Sequence, residues 1–259
     1  MCGFVFEFCF KKNNIDVKKI KNANDLLIHR GPDHSGYVLI DDKNKPFLFT
    51  DEKYKSLHSK IDSIEEESKL LNKRFKILFS HRRLSIVDKS INGHQPMIDK
   101  NTGVILVYNG EIYNYKYLKD QIGDNNFTGE SDTEVVLRSY IKWGYKFIKK
   151  LNGMFSFVIW DPRIKKILIG RDRYGIKPLY YYQDHETIIV SSEIKPIKLI
   201  KENLKISYKT IDEYFTFQNI FSDNTFYEKI NELAPGNFLI IDNNGFKKRK
   251  KYWDFHFEP

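Results

Sequence analysis

Cysteine is scarce in this 259-residue chain, with Cys2 and Cys9 its only two. That excludes a disulfide scaffold and a zinc site built from cysteines. Long apolar runs are missing too. No stretch approaches the roughly 18 consecutive apolar residues of a membrane helix, and the mean hydropathy is -0.52. The seven histidines show no HxxH or HExxH spacing, so no metal is expected. The amino terminus lacks the charged segment and long apolar run of a secretory leader, which makes a cytoplasmic protein the expectation. No zinc finger, aromatic RNA-binding motif or basic zipper accompanies the net charge of +9. Lysines are scattered along the chain, and Lys247 to Lys251 is the only dense basic run. Neither a nucleic acid nor a membrane is therefore expected as a partner.

What the chain has in quantity is aromatic surface: 20 Phe, 16 Tyr and 3 Trp, enough for a sizeable core. Its length suits one large domain or two small ones. Phe4, Phe6, Phe8 and Phe10 alternate with Val5, Glu7 and Cys9, the period of a strand. Val17 to Ile28 has helical spacing behind a capping Asp16, and His29-Arg30-Gly31-Pro32-Asp33 stops it. Asp41 to Lys76 is polar and reads as a surface insertion with a short helix near Ile64 to Leu71. Strands are expected at Ile77 to Phe79 and Val104 to Tyr108. Helices follow at Tyr117 to Ile122 and Thr133 to Trp143, the latter capped by Ser131 or Asp132. Short strands separated by turn signals then run from Met154 to Val190, with a helix at Ile211 to Phe217 and a last strand at Phe238 to Ile241. Strands at both ends with helices between favour an α+β sandwich over a doubly wound sheet.

A cysteine directly after the initiator methionine has a specific chemical use. Removal of Met1 leaves Cys2 with a thiol and a free α-amine, whose ordinary pKa near ~7.7–8.0 lets it act as a base. One residue then supplies nucleophile and base together. A small buried apolar residue is the competing reading of Cys2. Cys9, mid-strand and without a free amine, reads as buried structure.

Segments spread along the whole chain favour the nucleophile. They are Met1-Cys2-Gly3, His29 to Asp33, His81-Arg82-Arg83-Leu84-Ser85-Ile86-Val87-Asp88 and Gly93-His94-Gln95-Pro96-Met97. Tyr108-Asn109-Gly110-Glu111-Ile112-Tyr113-Asn114, Ser131-Asp132-Thr133-Glu134, Leu151 to Phe155, Gly170 to Tyr180 and Ser191-Ser192-Glu193 complete the series. In this order they resemble the class II glutamine amidotransferases, and within them the glutaminase domain of glutamine-hydrolysing asparagine synthetase. The resemblance implies a four-layer αββα sandwich of the N-terminal-nucleophile hydrolase type. It implies hydrolysis of L-glutamine through a Cys2 thioester, with neither metal nor organic cofactor.

The resemblance also distributes roles. Asn109 and the Gly110 N–H match the donors that stabilise the tetrahedral oxyanion. Arg83 matches the group that grips the substrate carboxylate, with Leu84, Ser85, Ile86 and Val87 lining the pocket. Asp132, helped by Glu111, matches the acceptor of the substrate ammonium. Three segments also have plain structural readings: Asn109-Gly110 as a hairpin turn, Asp132 as a helix cap, and Arg82 as a surface or structural residue. Arg30 is expected to anchor a loop near the site. Arg171, Asp172 and Lys177 are expected to form buried polar pairs at a strand junction.

Residues 2–250 read as the amidotransferase domain, with the polar insertion at about 41–76. Residues 251–259 read as the start of a linker toward a synthetase domain, in cis or as a separate subunit. Mg-ATP is expected only on that synthetase domain, because its Ser-Gly-Gly-x-Asp-Ser loop does not occur in these residues. A homodimer is a further expectation. Two other classes stay open: an amidotransferase serving sugar or phosphoribosyl amination, and a non-catalytic interaction module on the same fold.

Overall fold

The computed structural model describes residues 1–11, 15–57, 61–66, 73–85, 90–123, 127–245 and 247–257. The alternating aromatics form β1 (Gly3–Cys9), every residue of which is buried. Phe4, Phe6 and Phe8 point to one side of it, and Val5 and Cys9 to the other. Both faces are thus covered, which is why this strand is apolar throughout except at Glu7.

β1 pairs antiparallel with β5 (Phe75–Arg83) and β11 (Thr187–Ser191) at the centre of an eight-stranded sheet. Beyond β11 lie β10 (Tyr180–Gln183) and β12 (Ile230–Glu232). Beyond β5 lie β2 (His34–Asp41), β3 (Pro46–Thr50) and β4 (Asp62–Ser63). A six-stranded sheet faces it, ordered β14 (Lys247–Lys251), β13 (Asn237–Asp242), β9 (Lys166–Arg171), β8 (Gly153–Asp161), β7 (Ile105–Ile112) and β6 (Met97–Ile98).

Between the sheets, Phe4, Phe6, Phe79 and Val38 meet Val107, Val158, Trp160 and Leu239. The helices α1 (Val17–Asp25) and α5 (Ile194–Ile200) cover the outer face of the larger sheet, where Leu27 and Ile197 pack with Val5 and Ile189. On the smaller sheet, α2 (Tyr115–Ile122), α3 (Asp132–Trp143) and α4 (Phe147–Lys150) pack Leu118, Val136 and Phe147 against Phe155, Phe157 and Ile159. The result is the expected α+β sandwich with layers α, β, β, α. A sixth helix, α6 (Tyr208–Phe217), buries only Thr210. Among the described residues no helix is long and apolar enough to cross a membrane.

Three stretches differ from the sequence expectation. Residues 46–50 and 62–63, expected in a polar surface insertion, extend the larger sheet, and Phe49 and Ile64 are buried. Asp51 lies in the same stretch and accepts from Arg82 Nη1 at 3.0 Å and from Tyr37 Oη at 2.8 Å. The pattern looked polar because buried residues there serve one face only. The short helix expected at Ile64 to Leu71 falls mostly outside the described residues, and Ile64 itself is in a turn. The first helix stops at Asp25 rather than Ile28, with Asp16 capping it by accepting from the Lys19 N–H at 3.0 Å.

Glu7 is the anomaly of β1. Its carboxyl is buried beside Cys9, Thr187 and Lys201, and burial raises its pKa from 4.5 to about 7. The unfolded chain ionises this group near the lower value, so the folded state holds the proton more tightly. Its favourable contribution is therefore complete below the lower value and vanishes as pH rises through the higher one. The swing is on the order of 3 kcal/mol. Urea denaturation at pH 5 and pH 8 is expected to show wild type losing stability relative to Glu7→Gln across that interval. Parallel pH dependence of the two proteins would contradict the assignment.

Candidate active site

The position of Cys2 is built by the start of β1. Cys2 directly precedes it, and Gly3 pairs with Arg82 of β5. The neighbouring Leu84 N–H donates to Cys2 Sγ at 3.3 Å, and the thiol can donate back to Leu84 O at 3.7 Å. Arg30 holds the backbone from the other side, Nε to the Cys2 carbonyl at 3.0 Å and Nη1 to Glu193 at 3.2 Å. The anchoring role expected of Arg30 therefore acts on the cysteine's own carbonyl. Burial pushes the Cys2 thiol above its ordinary pKa, while the Leu84 N–H, the terminal ammonium and Arg83 pull it down. Burial, the largest of these influences, favours the neutral thiol. Met1 is attached in this structure, so the amine belongs to Met1, and burial lowers its pKa.

Cys2 opens on a cavity of about 180 Å3 between the ends of the two sheets. Arg83, Leu84, Asn109, Gly110, Glu111 and Asp132 share its wall. These residues span 131 sequence positions and converge because β1, β5 and β7 end on the same side. Asn109 and Gly110 are not a hairpin turn. They lie in β7, opposite Ser156 and Phe155 of β8. A Cβ at Gly110 would come within 2.4 Å of the Met154 carbonyl oxygen, so only glycine lets the strands approach this closely. Asn109 is 1% exposed, and its Nδ2 has no hydrogen-bond partner among the described residues. A buried amide donor facing a cavity in this state is poised for an acceptor that enters from outside.

Ser131, not Asp132, caps α3: its Oγ accepts from the Thr133 N–H at 3.1 Å. That leaves the Asp132 side chain for the cavity. Its Oδ2 accepts from Tyr108 Oη at 2.8 Å and from the Ile112 N–H at 2.9 Å. Burial raises its pKa above the ordinary carboxyl value, partly offset by those two donors. Glu111 stands at the exposed rim.

Arg83 is buried, and its Nη1 donates to the Ser90 carbonyl at 2.8 Å. Gly93 makes room for it. A Cβ at that position would lie 2.1 Å from Nη2, so Gly93→Ala must displace the flexible end of the arginine while leaving backbone contacts intact. With Arg83 in the carboxylate-binding role that the sequence resemblance implies, the expected outcome is a KM for glutamine raised about tenfold or more with kcat changed less. Steady-state kinetics alongside a thermal melt checks this, and an unchanged KM would count against Arg83 as the carboxylate anchor.

Several expectations need correction. Ser85 is not on the cavity wall: its N–H donates to Asp33 Oδ2 at 2.7 Å. Ile86 and Val87 lie outside the described residues. Arg82 is structural and fully buried, bridging Asp51, Asp25 and the Asn24 carbonyl. Arg171, Asp172 and Lys177 form the expected buried junction, but each contact among them runs through a Lys177 backbone group and none joins side chain to side chain. Arg171 binds the carbonyls of Lys177, Leu233 and Gly175, and Asp172 binds backbone N–H groups. Lys177 instead faces the cavity.

Sequence reasoning also passed over residues that shape the site. β6 pairs only with Ile105 and Leu106, so the Tyr108 backbone further along β7 has no strand on that side. Gln95 Oε1 takes its N–H at 2.7 Å, and His81 Nε2 meets its carbonyl at 3.2 Å. Burial lowers the His81 pKa to about 3, so the ring stays neutral and donates. These two side chains hold the stretch that carries Asn109. Their motif segments signalled that they mattered, but their targets exist only once the sheets pack.

A two-sheet sandwich with a cysteine heading its central strand, and a donor, a cation and a carboxylate around one cavity, has the architecture of an N-terminal-nucleophile amidotransferase. Known proteins agree. Residues 55–253 match the glutamine amidotransferase domain family, and the chain belongs to it. It is 34% identical to a putative asparagine synthetase [glutamine-hydrolyzing] 2 of Methanocaldococcus jannaschii over 98% of the chain and 46% of that protein. It is 30% identical to asparagine synthetase [glutamine-hydrolyzing] 1 of Bacillus subtilis, over 100% of the chain and 36% of that protein. An amidase, chyE, of Penicillium rubens is likewise 30% identical, over 93% of the chain and 30% of its own length. The chain thus spans less than half the length of these relatives. In structure it is similar to the glutamine phosphoribosylpyrophosphate amidotransferase of B. subtilis, with a TM-score of 0.68 at 20% identity, covering 97% of the chain and 49% of that one. That likeness speaks for the fold. The chain is a glutamine amidotransferase domain resembling the glutaminase domains of asparagine synthetases.

Proposed function

We propose that this domain hydrolyses the side-chain amide of free L-glutamine to L-glutamate and ammonia through a thioester on Cys2. The observation that carries the reading is the buried, unpartnered Asn109 Nδ2 on the same cavity wall as Cys2 Sγ. In this reading, removal of Met1 moves the free amine to the Cys2 nitrogen. The amine takes the thiol proton, and the thiolate attacks the amide carbon. The oxyanion accepts from Asn109 Nδ2 and the Gly110 N–H. The amine's proton goes to the departing nitrogen, and ammonia leaves. Water then attacks the thioester, delivers its proton through the same amine and frees glutamate and the thiol. Arg83 grips the substrate carboxylate, while Asp132 and Glu111 receive its ammonium.

The proposed acceptor of the ammonia lies on a synthetase segment, in cis or as a separate subunit, where Mg-ATP would act. Aspartate is the first candidate because two of the relatives are named as asparagine synthetases. The relative named as an amidase supports a second reading with another acceptor. We place the protein in the cytoplasm, where the free thiols Cys2 and Cys9 stay reduced. A homodimer belongs to the same reading, and sedimentation of the purified chain tests it. The deciding experiment for the chemistry is intact-mass analysis after treatment with a glutamine-mimicking electrophile. One adduct, on Cys2 of a chain lacking Met1, is expected. Retention of Met1 in active protein, or no adduct, would remove the mechanism.

A further inference from the structure

The cavity wall carries a cation for which the scheme above has no task. Lys177 is 5% exposed and lines the cavity together with Cys2 and Glu111. Among the described residues, its ammonium makes no hydrogen bond or ion pair. The other cations here are engaged: Arg30 on Glu193 and the Cys2 carbonyl, and Arg83 on the Ser90 carbonyl. A desolvated ammonium without a counter-ion is unfavourable, so its surroundings must hold it in place.

They do so through the backbone. Asp172, fully buried, accepts the N–H groups of Tyr174, Ile176 and Lys177, each at 3.0 Å. Arg171 Nε donates to the Lys177 carbonyl at 2.9 Å, and its Nη2 donates to the Gly175 carbonyl at 2.7 Å. Two buried side chains thereby fix the chain around Lys177, and the side chain lines the cavity that Cys2 also lines. Its charge lowers the pKa of the Met1 amine, as does that of Arg30, and burial lowers the pKa of Lys177 while the neighbouring Cys2 in turn pulls it up.

We propose that Lys177 is an electrostatic activator of the nucleophile, favouring the Cys2 thiolate and keeping the mature terminal amine free to accept the thiol proton. The charges facing this centre are Arg30 from the turn after α1, Asp33 from the following loop, Arg83 from β5, Glu111 from β7, Asp132 from α3 and Asp172 after β9. Among the described residues, Lys177 is the cation here whose side chain has no hydrogen-bond acceptor or ion-pair partner. The inference rests on Cys2 as the nucleophile but not on glutamine as its substrate.

The test is the rate of Cys2 alkylation by iodoacetamide against pH, on the full chain with Met1 loss verified by mass. Cys9 is the internal control, since burial pushes its thiol up to about 12. Lys177→Met and Lys177→Gln are expected to slow Cys2 alkylation about tenfold at pH 7 and to move its midpoint up by about one pH unit. Lys177→Arg, which restores the charge, is expected to bring both back. The melting temperature of Lys177→Met should hold or rise, because an unpaired buried charge is gone while its shape is kept. A positional role would instead lower stability and reactivity together. An unmoved midpoint in both neutral variants overturns the proposal, and so does a shift that Lys177→Arg shares. If wild type shows the Lys177-dependent midpoint yet turns over no glutamine, this inference stands and the substrate assignment falls.

Discussion

Cys2→Ala is expected to abolish glutamine hydrolysis, a loss of about 10⁴-fold or more in kcat. No other group can replace the thiol. Cys9 is 6% exposed in the middle of β1, beside Thr187 and Glu7, and far above its ordinary pKa. The substitution removes little packing, since Cys2 precedes the strand and its backbone contacts to Arg30 survive. Circular dichroism and thermal melts should therefore match wild type. Glutamine should still bind, because Arg83, Glu111 and Asp132 are untouched. An N-terminal extension that blocks removal of Met1 is expected to have the same effect as the alanine, since it leaves the thiol and takes away the base. Turnover persisting in the alanine variant would mean that the nucleophile lies elsewhere, and turnover persisting in the extended protein would mean that another group serves as base.

Asn109→Ala is expected to lower kcat by about 10²–10³-fold while KM for glutamine changes little. The asymmetry follows from the geometry. The amide nitrogen has no partner among the described residues, and in the proposed scheme its bond is strongest when negative charge develops on the substrate oxygen. For the same reason the variant should be at least as stable as wild type in urea, because no hydrogen bond of the folded chain is lost at Nδ2. A loss in kcat below tenfold, or an equal rise in KM, would reassign Asn109 to ground-state binding.

Much of this could be read from the residues, and the rest had a physical reason to stay hidden. Period-two aromatics marked β1, and Ser131 was already one of two candidates for the α3 cap. The site residues Cys2, Arg83, Asn109 and Asp132 were legible through the order of their motifs, since nothing local says that they meet. α5 escaped because Pro196 sits inside it, yet proline at the third helical position interrupts no intrahelical bond. Gln95 and His81 were missed as supports because their partner is a backbone stretch that lacks a neighbouring strand only after β6 has ended. Lys177 was assigned to a junction because its neighbours Arg171 and Asp172 do build one. Its own direction depends on a turn whose shape no spacing encodes.

The dense basic run of the sequence has a definite setting in the fold. Lys247 to Lys251 form β14, an exposed strand at the open edge of the smaller sheet. An open edge offers unpaired N–H and C=O groups to any other strand, including the same strand of another molecule. Five successive basic residues there, two of them paired with Asp223 and Asp254, disfavour the approach of an identical copy edge to edge.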